Sequence, residues 1–430
     1  MKILHIATQD ISGGGGSFNA SYRLHQGMKS FGIDSKLLVL NKLSNDTNVL
    51  SPRVSPYLPN KVLYFIFKAK HFINTKFFNR SPYFYTDSKL KFSARKILNE
   101  ISFMPDVIIA HWISGFINTN HLYDLNKNSK APILWYFLDN APFTGGCHYF
   151  SDCKGYENKC GNCPQLGKKR DNNDISKIQF RNKSLALTKT NITALTASSW
   201  QLEKINKSTI FKNKRSELIH LGIDTKIFCP DNRDISRQNL NLPVDTRIIF
   251  FGAISISERR KGFDELTKAL KILDEMIKKH NFNQNILILI ASKKKQPKFN
   301  VNFNYKNIGY LKTEEELASV YKASDIFVCP SIEDAGPMMI NESITCGTPV
   351  VSFNMGIAKD LVINDFTGYR AKLGDSRDLA NGIFRLLTFN KRKINNMRKN
   401  CRNLGLKYCD QDIQVKSFFN LCNLLTKSKH

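Results

Sequence analysis

Two acidic residues in the second half of the chain, Asp334 and Glu342, could bind one ligand together. Seven residues separate them, among them Gly336 and Pro337. The pattern predicts that Asp334 follows a strand at 326–329 and that Glu342 lies inside a helix that begins near Pro337. Unpaired backbone N–H groups at a helix start attract phosphate, and a carboxylate can bind both hydroxyls of a ribose. The segment therefore predicts a nucleoside diphosphate site, with an ordinary surface glutamate on a capped helix as the alternative.

Two adjacent cations, Arg260 and Lys261, form a second candidate site. They follow a predicted strand at 247–251 and precede a predicted helix at 263–279. A diphosphate that departs as a leaving group gains negative charge, and paired cations stabilise that charge most in the transition state. A basic helix cap is the alternative.

A run of four glycines, Gly13 to Gly16, lies between a predicted strand at 2–7 and a predicted helix at 17–31. Glycine lets the backbone approach a ligand closely, because no side chain intervenes. The run lacks the full spacing of a dinucleotide fingerprint, so a flexible loop is the alternative.

The segments at 260–263 and 330–351 resemble the donor-site motifs of glycosyltransferase family 4, whose members are retaining enzymes with the GT-B fold. Residues 144–149, Thr-Gly-Gly-Cys-His-Tyr, are similar to a subgroup of that family. The chain also alternates apolar strands with amphipathic segments in both halves, which predicts parallel sheets covered on both faces. The expected fold class is therefore α/β, GT-B, with two Rossmann-like doubly wound domains facing across a cleft.

The resemblance also implies a division of labour between the two domains. Residues 1–222 would form the acceptor-side domain, with a C-terminal helix at 412–430 packing back on it. Residues 223–411 would form the nucleotide-sugar-binding domain. The donor site would comprise Gly14, Gly15, Gly16, Arg260, Lys261, Asp334, Ala335, Gly336 and Glu342, and the catalytic residues would be Asp139, Arg260, Lys261, Asp334 and His111.

Two positions depart from the family pattern. Leu138 stands where many members have a histidine, and Ala253 stands where many have an arginine. A histidine role must therefore fall to His111 or His148. His111 follows a predicted strand at 107–110, where it could orient an acceptor or polarise its hydroxyl, or could be a hydrogen-bonded packing residue.

Four cysteines lie within one short polar segment. Cys147, Cys153, Cys160 and Cys163 end in a Cys-Gly-Asn-Cys turn. Four thiols so close in sequence can hold one tetrahedral zinc ion, and disulfides are disfavoured in a reducing cytoplasm. A structural zinc is the expectation, with free thiols or an iron–sulfur site as alternatives.

The chain is strongly basic, with 64 Lys and Arg residues against 36 Asp and Glu residues. Such a surplus favours anionic partners. Residues 61–96 mix cations with aromatic side chains, which indicates either a surface at a membrane interface or a helical pair whose aromatic residues face the core. No stretch of about twenty apolar residues is present, and the N-terminus is strand-like rather than a signal peptide. We therefore expect a cytoplasmic protein, peripheral to the inner face of the cytoplasmic membrane.

The function predicted from these features is a retaining glycosyltransferase of the hexosyltransferase type. It would move a sugar from a UDP- or GDP-sugar donor to a growing, lipid-linked bacterial surface saccharide, with no nucleic-acid partner. No Asp-x-Asp motif is evident, so catalysis should require no magnesium. One alternative is a polyanion- or nucleic-acid-binding protein, suggested by the charge and the lysines at 293–295. Another is a non-catalytic GT-B scaffold subunit, suggested by Leu138 and Ala253.

Overall fold

The computed structural model describes residues 1–11, 16–87, 90, 93–101, 103–293 and 301–427. Gly14 and Gly15 of the predicted donor site lie outside these residues, as do Lys294 and Lys295 of the basic run. The chain divides into two compact units. Unit 1 comprises Met1–Ala197, Gln201–Ile219 and Gln414–His430, and unit 2 comprises Ser198–Trp200 and His220–Ile413.

The strands of the described residues form two sheets, each wholly parallel in its pairing. Their bounds are β1 Lys2–Gln9, β2 Asp34–Asn41, β3 Val49–Leu50, β4 Val107–Ala110, β5 Ile133–Phe137, β6 Ile192–Thr196, β7 Ser216–Leu218, β8 Arg247–Gly252, β9 Ile286–Ala291, β10 Asn304–Asn307, β11 Ile326–Cys329, β12 Val350–Phe353 and β13 Gly368–Ala371.

Helices alternate with these strands along the chain. Their bounds are α1 Gly16–Ser30, α2 Asn60–Phe77, α3 Ala94–Glu100, α4 Thr119–Ser129, α5 Ile175–Thr188, α6 Ser199–Lys207, α7 Arg233–Asn239, α8 Phe263–Lys279, α9 Glu314–Ala323, α10 Met338–Thr345, α11 Ala358–Leu361, α12 Ser376–Leu387, α13 Lys391–Tyr408 and α14 Gln411–Lys427. Most residues of α6 and α14 belong to unit 1.

The sheet of unit 1 has the strand order β3-β2-β1-β4-β5-β6-β7, and the sheet of unit 2 has the order β10-β9-β8-β11-β12-β13. The central strands are buried along their length, as in β4, β5, β11 and β12. Their continuous apolar runs fit a parallel sheet with helices on both faces. The predicted fold class of two doubly wound, Rossmann-like α/β units is confirmed.

The strand order locates the ligand-binding edge of each unit. The order reverses direction between β1 and β4 in unit 1 and between β8 and β11 in unit 2. Ligands of open α/β sheets bind beyond the carboxyl ends of the strands at such switch points. The segments that follow β4, β8 and β11 carry His111, Arg260, Lys261 and Asp334.

Helix α2 differs from the other long helices because none of its residues is buried. The aromatic side chains of α2 divide between the two alternatives, because Phe65, Phe72 and Phe77 are exposed whereas Phe67 is partly buried against Gly115. Within the described part of the chain, no helix combines the length and apolar character needed to cross a membrane.

Candidate functional site

Arg260, Lys261 and Asp334 form a compact charged cluster at the switch point of unit 2. Nη1 of Arg260 and Nζ of Lys261 each donate to Oδ2 of Asp334 at 2.8 Å. Nε of Arg260 also donates to Oε1 of Glu258 at 2.7 Å. Three of the predicted catalytic residues are therefore brought into direct contact, although 73 positions separate Lys261 from Asp334.

The local backbone explains this contact. Residues Arg259–Lys261 form a 3-10 turn after β8, and Gly262 follows in the left-handed conformation with φ of 71°. A Cβ at Gly262 would lie 1.7 Å from the carbonyl oxygen of Pro330, in the loop after β11. Only glycine allows this close approach. The turn and the loop are further joined by Ile332, whose N–H donates to the Arg260 carbonyl at 2.9 Å.

The electrostatics of the cluster fix the charge state of Asp334. Burial alone would raise the pKa of this carboxyl, but Lys261 and Arg260 outweigh burial and lower the pKa to about 2. Asp334 is therefore an anion that holds both cations in place. The side chains of Arg260 and Lys261 remain 14% and 25% exposed, so solvent reaches both cations. A bound diphosphate could exchange with Asp334 as their anionic partner.

The remaining predicted donor residues surround this cluster. Gly336 donates its N–H to Oδ1 of Asp334 at 3.3 Å. Ala335 is buried, and its carbonyl accepts a hydrogen bond from Ser198 at 2.8 Å. Pro337 is the cap of α10 rather than its first residue, one position from the expected start.

Glu342 lies in the second turn of α10 and is only 6% exposed. Its Oε2 accepts a hydrogen bond from the hydroxyl of Tyr321 at 3.1 Å, which fixes the orientation of the carboxylate. A contact of Glu342 with ribose stays a prediction. In unit 1, Gly16 is the first residue of α1, at the amino end of a helix.

A second polar constellation lies in unit 1, after β4 and β5. Nδ1 of His148 lies 2.6 Å from Oδ2 of Asp139, and Nε2 of His148 lies 3.2 Å from Oγ of Ser114. The indole nitrogen of Trp112 also lies 3.0 Å from Nδ1. Because an indole only donates, it competes with Asp139 for this nitrogen, and the contact with Asp139 is the shorter of the two.

Two of these residues, Ser114 and His148, border one pocket within unit 1. Its wall includes Tyr85, Ser114, His148 and Lys183. The ammonium of Lys183 donates to the carbonyls of Ala141 and Thr144, and burial lowers the pKa of this lysine. Aromatic walls together with hydroxyl, imidazole and ammonium groups suit the polar and apolar faces of a sugar.

His111, predicted as a catalytic residue, does not line this pocket. It is 2% exposed, and its Nε2 lies 3.0 Å from Nδ1 of His5. Burial lowers the pKa of His111 to about 3, so the ring is neutral near pH 7. The structure thus places His111 in a hydrogen-bonded core pair, and Asp139 meets His148 instead. The sequence feature that could identify His148 as a site residue is its place in the Thr-Gly-Gly-Cys-His-Tyr segment, nine residues after Asp139.

The four predicted metal ligands line one small cavity in unit 1. All are free thiols. Within the described ranges, no group of three or more His, Cys, Asp or Glu side chains is arranged so that it could hold a metal ion. Zinc binding by Cys147, Cys153, Cys160 and Cys163 therefore stays a prediction.

Comparisons with known proteins show which proteins the chain is similar to. Residues 232–404 match the family model "Glycosyl transferases group 1". The chain is 25% identical over 223 residues to N,N'-diacetylbacillosaminyl-diphospho-undecaprenol alpha-1,3-N-acetylgalactosaminyltransferase from Campylobacter jejuni. This match covers 50% of the chain and 56% of that enzyme, so it spans about half the length of the relative.

Solved structures resemble the chain along nearly all of its length. Sucrose-phosphate synthase from Thermosynechococcus elongatus is 17% identical, with a TM-score of 0.66 and complete coverage of both chains. HepE from Anabaena in complex with UDP is 14% identical, with a TM-score of 0.61, and the match covers 98% of this chain and 100% of HepE. At these identities the likeness shows the fold alone, which is GT-B. The residues that match the glycosyl transferases group 1 model, 232–404, include Arg260, Lys261, Asp334 and Glu342.

Proposed function

We propose that the chain is a retaining glycosyltransferase of family 4 that moves a sugar from a UDP- or GDP-sugar to a lipid-linked bacterial saccharide. The observation that carries the proposal is the cluster of Arg260, Lys261 and Asp334 at the switch point of unit 2. It lies inside the group 1 domain, where a phosphate-bearing ligand of an α/β unit is expected.

The cluster suits the donor's leaving group. As the bond between sugar and diphosphate breaks, negative charge grows on the diphosphate, and Arg260 and Lys261 stabilise it. Asp334 holds the two cations in position before the donor binds. Glu342, oriented by Tyr321, binds the ribose. With retention, the acceptor hydroxyl attacks from the side of the leaving group and gives its proton to the diphosphate. Because two side-chain cations supply the positive charge, the reaction requires no magnesium.

The pocket bordered by His148 binds the acceptor sugar. Nε2 of His148 and Oγ of Ser114 face each other at 3.2 Å and can both bond to a sugar hydroxyl. Asp139 fixes the histidine through the contact at 2.6 Å. Tyr85 packs edge-on against the imidazole at a centroid distance of 4.4 Å and offers an apolar wall to the sugar ring.

Helix α2 binds the membrane that carries the lipid part of the acceptor. Phe65, Phe72 and Phe77 are 71%, 61% and 74% exposed. With Val62, Ile66 and Ile73 they follow helical spacing and form one exposed apolar face, next to exposed lysines such as Lys68. Such a face lies in the interface of a bilayer, and the lysines attract anionic headgroups.

The inner face of α2 connects this membrane surface to the pocket. His71 stacks on Tyr85 at a centroid distance of 4.0 Å, and Tyr85 in turn contacts His148. A lipid-linked saccharide at the membrane would therefore meet the pocket within one or two side-chain layers of α2. The undecaprenol in the name of the Campylobacter relative supports this class of acceptor.

The test is transfer by the full chain in vesicles of anionic phospholipid that contain an undecaprenyl-diphosphate-linked saccharide. UDP- and GDP-sugars are supplied one at a time, with EDTA present. We expect one donor series to yield a lengthened saccharide, with the anomeric configuration of the donor retained in the NMR spectrum. Binding to nucleic acid with no effect of any sugar nucleotide on melting temperature would overturn the proposal in favour of a polyanion-binding protein. If the chain binds a donor but neither transfers its sugar nor hydrolyses it, the scaffold alternative is favoured.

A further inference from the structure

The pocket proposed to bind the acceptor has more polar groups than one sugar hydroxyl requires. Besides His148 and Ser114, it is lined by Asp87 and Lys183. Lysine is almost never fully buried unless it is paired, yet Lys183 is only 4% exposed. A carboxylate and an ammonium in one pocket offer an acceptor and a donor to a second substituent of the same sugar.

The ammonium of Lys183 keeps one donor for a ligand. Two of its three N–H groups donate to the carbonyls of Ala141 and Thr144. Burial raises the pKa of Asp87, and the charge of Lys183 opposes that shift, so the two side chains lie near each other. Within the part of the chain that the structure describes, however, this ammonium and this carboxylate form no direct ion pair. A small polar group can therefore bind between them.

Helix α5 sets the positions of both residues. Gln179 lies four residues before Lys183, so the two side chains lie on one face of this helix. Oε1 of Gln179 accepts from the backbone N–H of Asp87 at 2.9 Å, and its Nε2 donates to the Gly145 carbonyl at 2.7 Å. The backbone of Asp87 and the ammonium of Lys183 are thus held in place before a ligand binds, which lowers the cost of binding.

The pocket also has an apolar wall. Ile113, Ile117 and Trp135 line it and are 7%, 3% and 3% exposed. The indole nitrogen of Trp135 donates to the His111 carbonyl at 3.1 Å, so this side chain has no donor left for a ligand. A methyl group placed against this wall would be stabilised by its removal from water.

We propose that this pocket binds an acceptor sugar that bears an acetamido group. The acetamido carbonyl accepts from Lys183, the acetamido N–H donates to Asp87, and the methyl group contacts Ile113 and Ile117. This specificity rests on the proposed function, in which the pocket is the acceptor site.

Other substituents of a sugar match these groups less well. A hydroxyl can bond to Asp87 or Lys183, but it leaves the apolar wall uncovered. A carboxylate is repelled by Asp87 and an ammonium by Lys183, and either charge loses hydration beside the apolar wall. A neutral group with one donor, one acceptor and one methyl has a partner for each of its parts.

Saturation-transfer NMR with the full chain tests the binding step without any catalysis. The probes are the methyl glycosides of N-acetylglucosamine and N-acetylgalactosamine, of glucose and galactose, and of the corresponding amino sugars and uronic acids. We expect an acetamido glycoside to bind at least roughly tenfold more tightly than its hydroxyl parent, the lower end of what one missing methylene group costs in an apolar pocket. The strongest saturation should appear at the acetamido methyl protons.

Asp87→Ala should remove most of this preference, because the acetamido N–H then lacks its acceptor. Asp152→Ala, at an exposed position of unit 1 and with the same change of charge, is the matched control. The ratio of the affinities for the acetamido and hydroxyl glycosides does not depend on the fraction of protein that is folded. If Asp87→Ala keeps the full preference, the proposal is wrong.

Transfer to lipid-linked acceptors, measured in parallel, separates failure of the specificity from failure of the transferase reaction. If acetamido glycosides are preferred in binding but no sugar is transferred, the specificity of the pocket stands and the proposed function is wrong. If transfer occurs while acetamido and hydroxyl sugars bind equally, the proposed function stands and the acetamido specificity is wrong. A preference for the amino or uronic acid glycosides, or no preference in binding at all, also overturns the specificity.

Discussion

The two units place polar side chains at the same edge of similar sheets, but the two sites have different chemistry. In unit 2, Arg260 and Lys261 share the single carboxylate of Asp334. In unit 1, Asp139, His148 and Ser114 form a chain of hydrogen bonds with no arginine. Partly exposed cations suit a diphosphate, whereas imidazole, hydroxyl and carboxylate groups suit sugar hydroxyls. The fold therefore supplies two equivalent positions, and the loops give them different chemistry, which under the proposed function serves the donor in unit 2 and the acceptor in unit 1.

Removal of a cation from unit 2 is expected to have the largest effect, because it tests whether this unit serves the donor. We expect Lys261→Ala to lower kcat roughly 10²–10³-fold, the range found when one transition-state donor is removed. Lys268→Ala, at an exposed position of α8, is the matched control and should have little effect. Initial rates of transfer at saturating donor and acceptor measure the change. An equal loss in both variants would mean that charge in general, rather than the cluster, matters.

Changing unit 1 should affect the acceptor and spare the donor. We expect His148→Ala and Asp139→Asn each to lower kcat/KM for the acceptor roughly 10–100-fold, because a hydrogen bond that involves a charged partner is lost. The stabilisation of the protein by UDP or GDP in a thermal-shift assay should be unchanged. If donor binding falls to the same extent as acceptor use, the pocket of His148 does not serve the acceptor alone.

A third test concerns the proposed binding of α2 to the membrane. Lys68→Gln combined with Lys76→Gln should weaken binding to anionic vesicles roughly 30-fold, because each lysine near such a surface contributes about 1 kcal/mol. Lys127→Gln with Lys212→Gln, both exposed in unit 1, is the charge-matched control. Vesicle sedimentation at fixed salt measures the affinity. Equal weakening in both pairs would show that net charge, and not α2, attracts the membrane.

The sequence predicted the cluster of unit 2 better than the pocket of unit 1, for a physical reason. Arg260, Lys261 and Asp334 lie in two strand–loop–helix segments, and parallel strand pairing brings such loops together. The pairing of His148 with Ser114 spans 34 residues and depends on how the irregular segment after β5 folds, which no periodicity reveals. His111 follows a strand in the expected way, yet its ring turns into the core to meet His5.

Helix α2 illustrates a second limit of sequence reasoning. Its aromatic residues occupy several faces of the helix, so their spacing alone left both a core and a surface location open. The structure separates them, because Phe67 and His71 pack inward on Gly115 and Tyr85 while Phe65 and Phe72 are exposed. Neighbouring elements determine which aromatic residues of α2 are buried, and the sequence of a single helix does not reveal where those elements pack.

The smallest predicted effect is a difference between the two units in the pH at which they lose stability. In unit 1, burial lowers the pKa of His25 to about 4 and that of His111 to about 3, and it also lowers the pKa of His5. For His25, the charge of Asp46 opposes burial without overcoming it. Since these rings have a pKa near 6.5 when unfolded, the unfolded state binds more protons below that pH. Acidification from pH 6.5 should therefore destabilise unit 1, by at most about 1.4 kcal/mol per pH unit for each histidine.

Unit 2 should lose stability only at a lower pH than unit 1, because its charged cluster titrates at lower pH. The pKa of Asp334 falls from 3.8 to about 2 on folding, so the stability it contributes is complete above pH 3.8 and is lost only as the pH falls towards 2. Hydrogen exchange, corrected for the pH dependence of the intrinsic amide rate, should show protection falling in unit 1 between pH 6.5 and 5 while unit 2 is unaffected. His111→Asn should reduce that slope by about one proton. If unit 2 loses protection first, or the variant keeps the full slope, the buried histidines are not the source of the acid sensitivity.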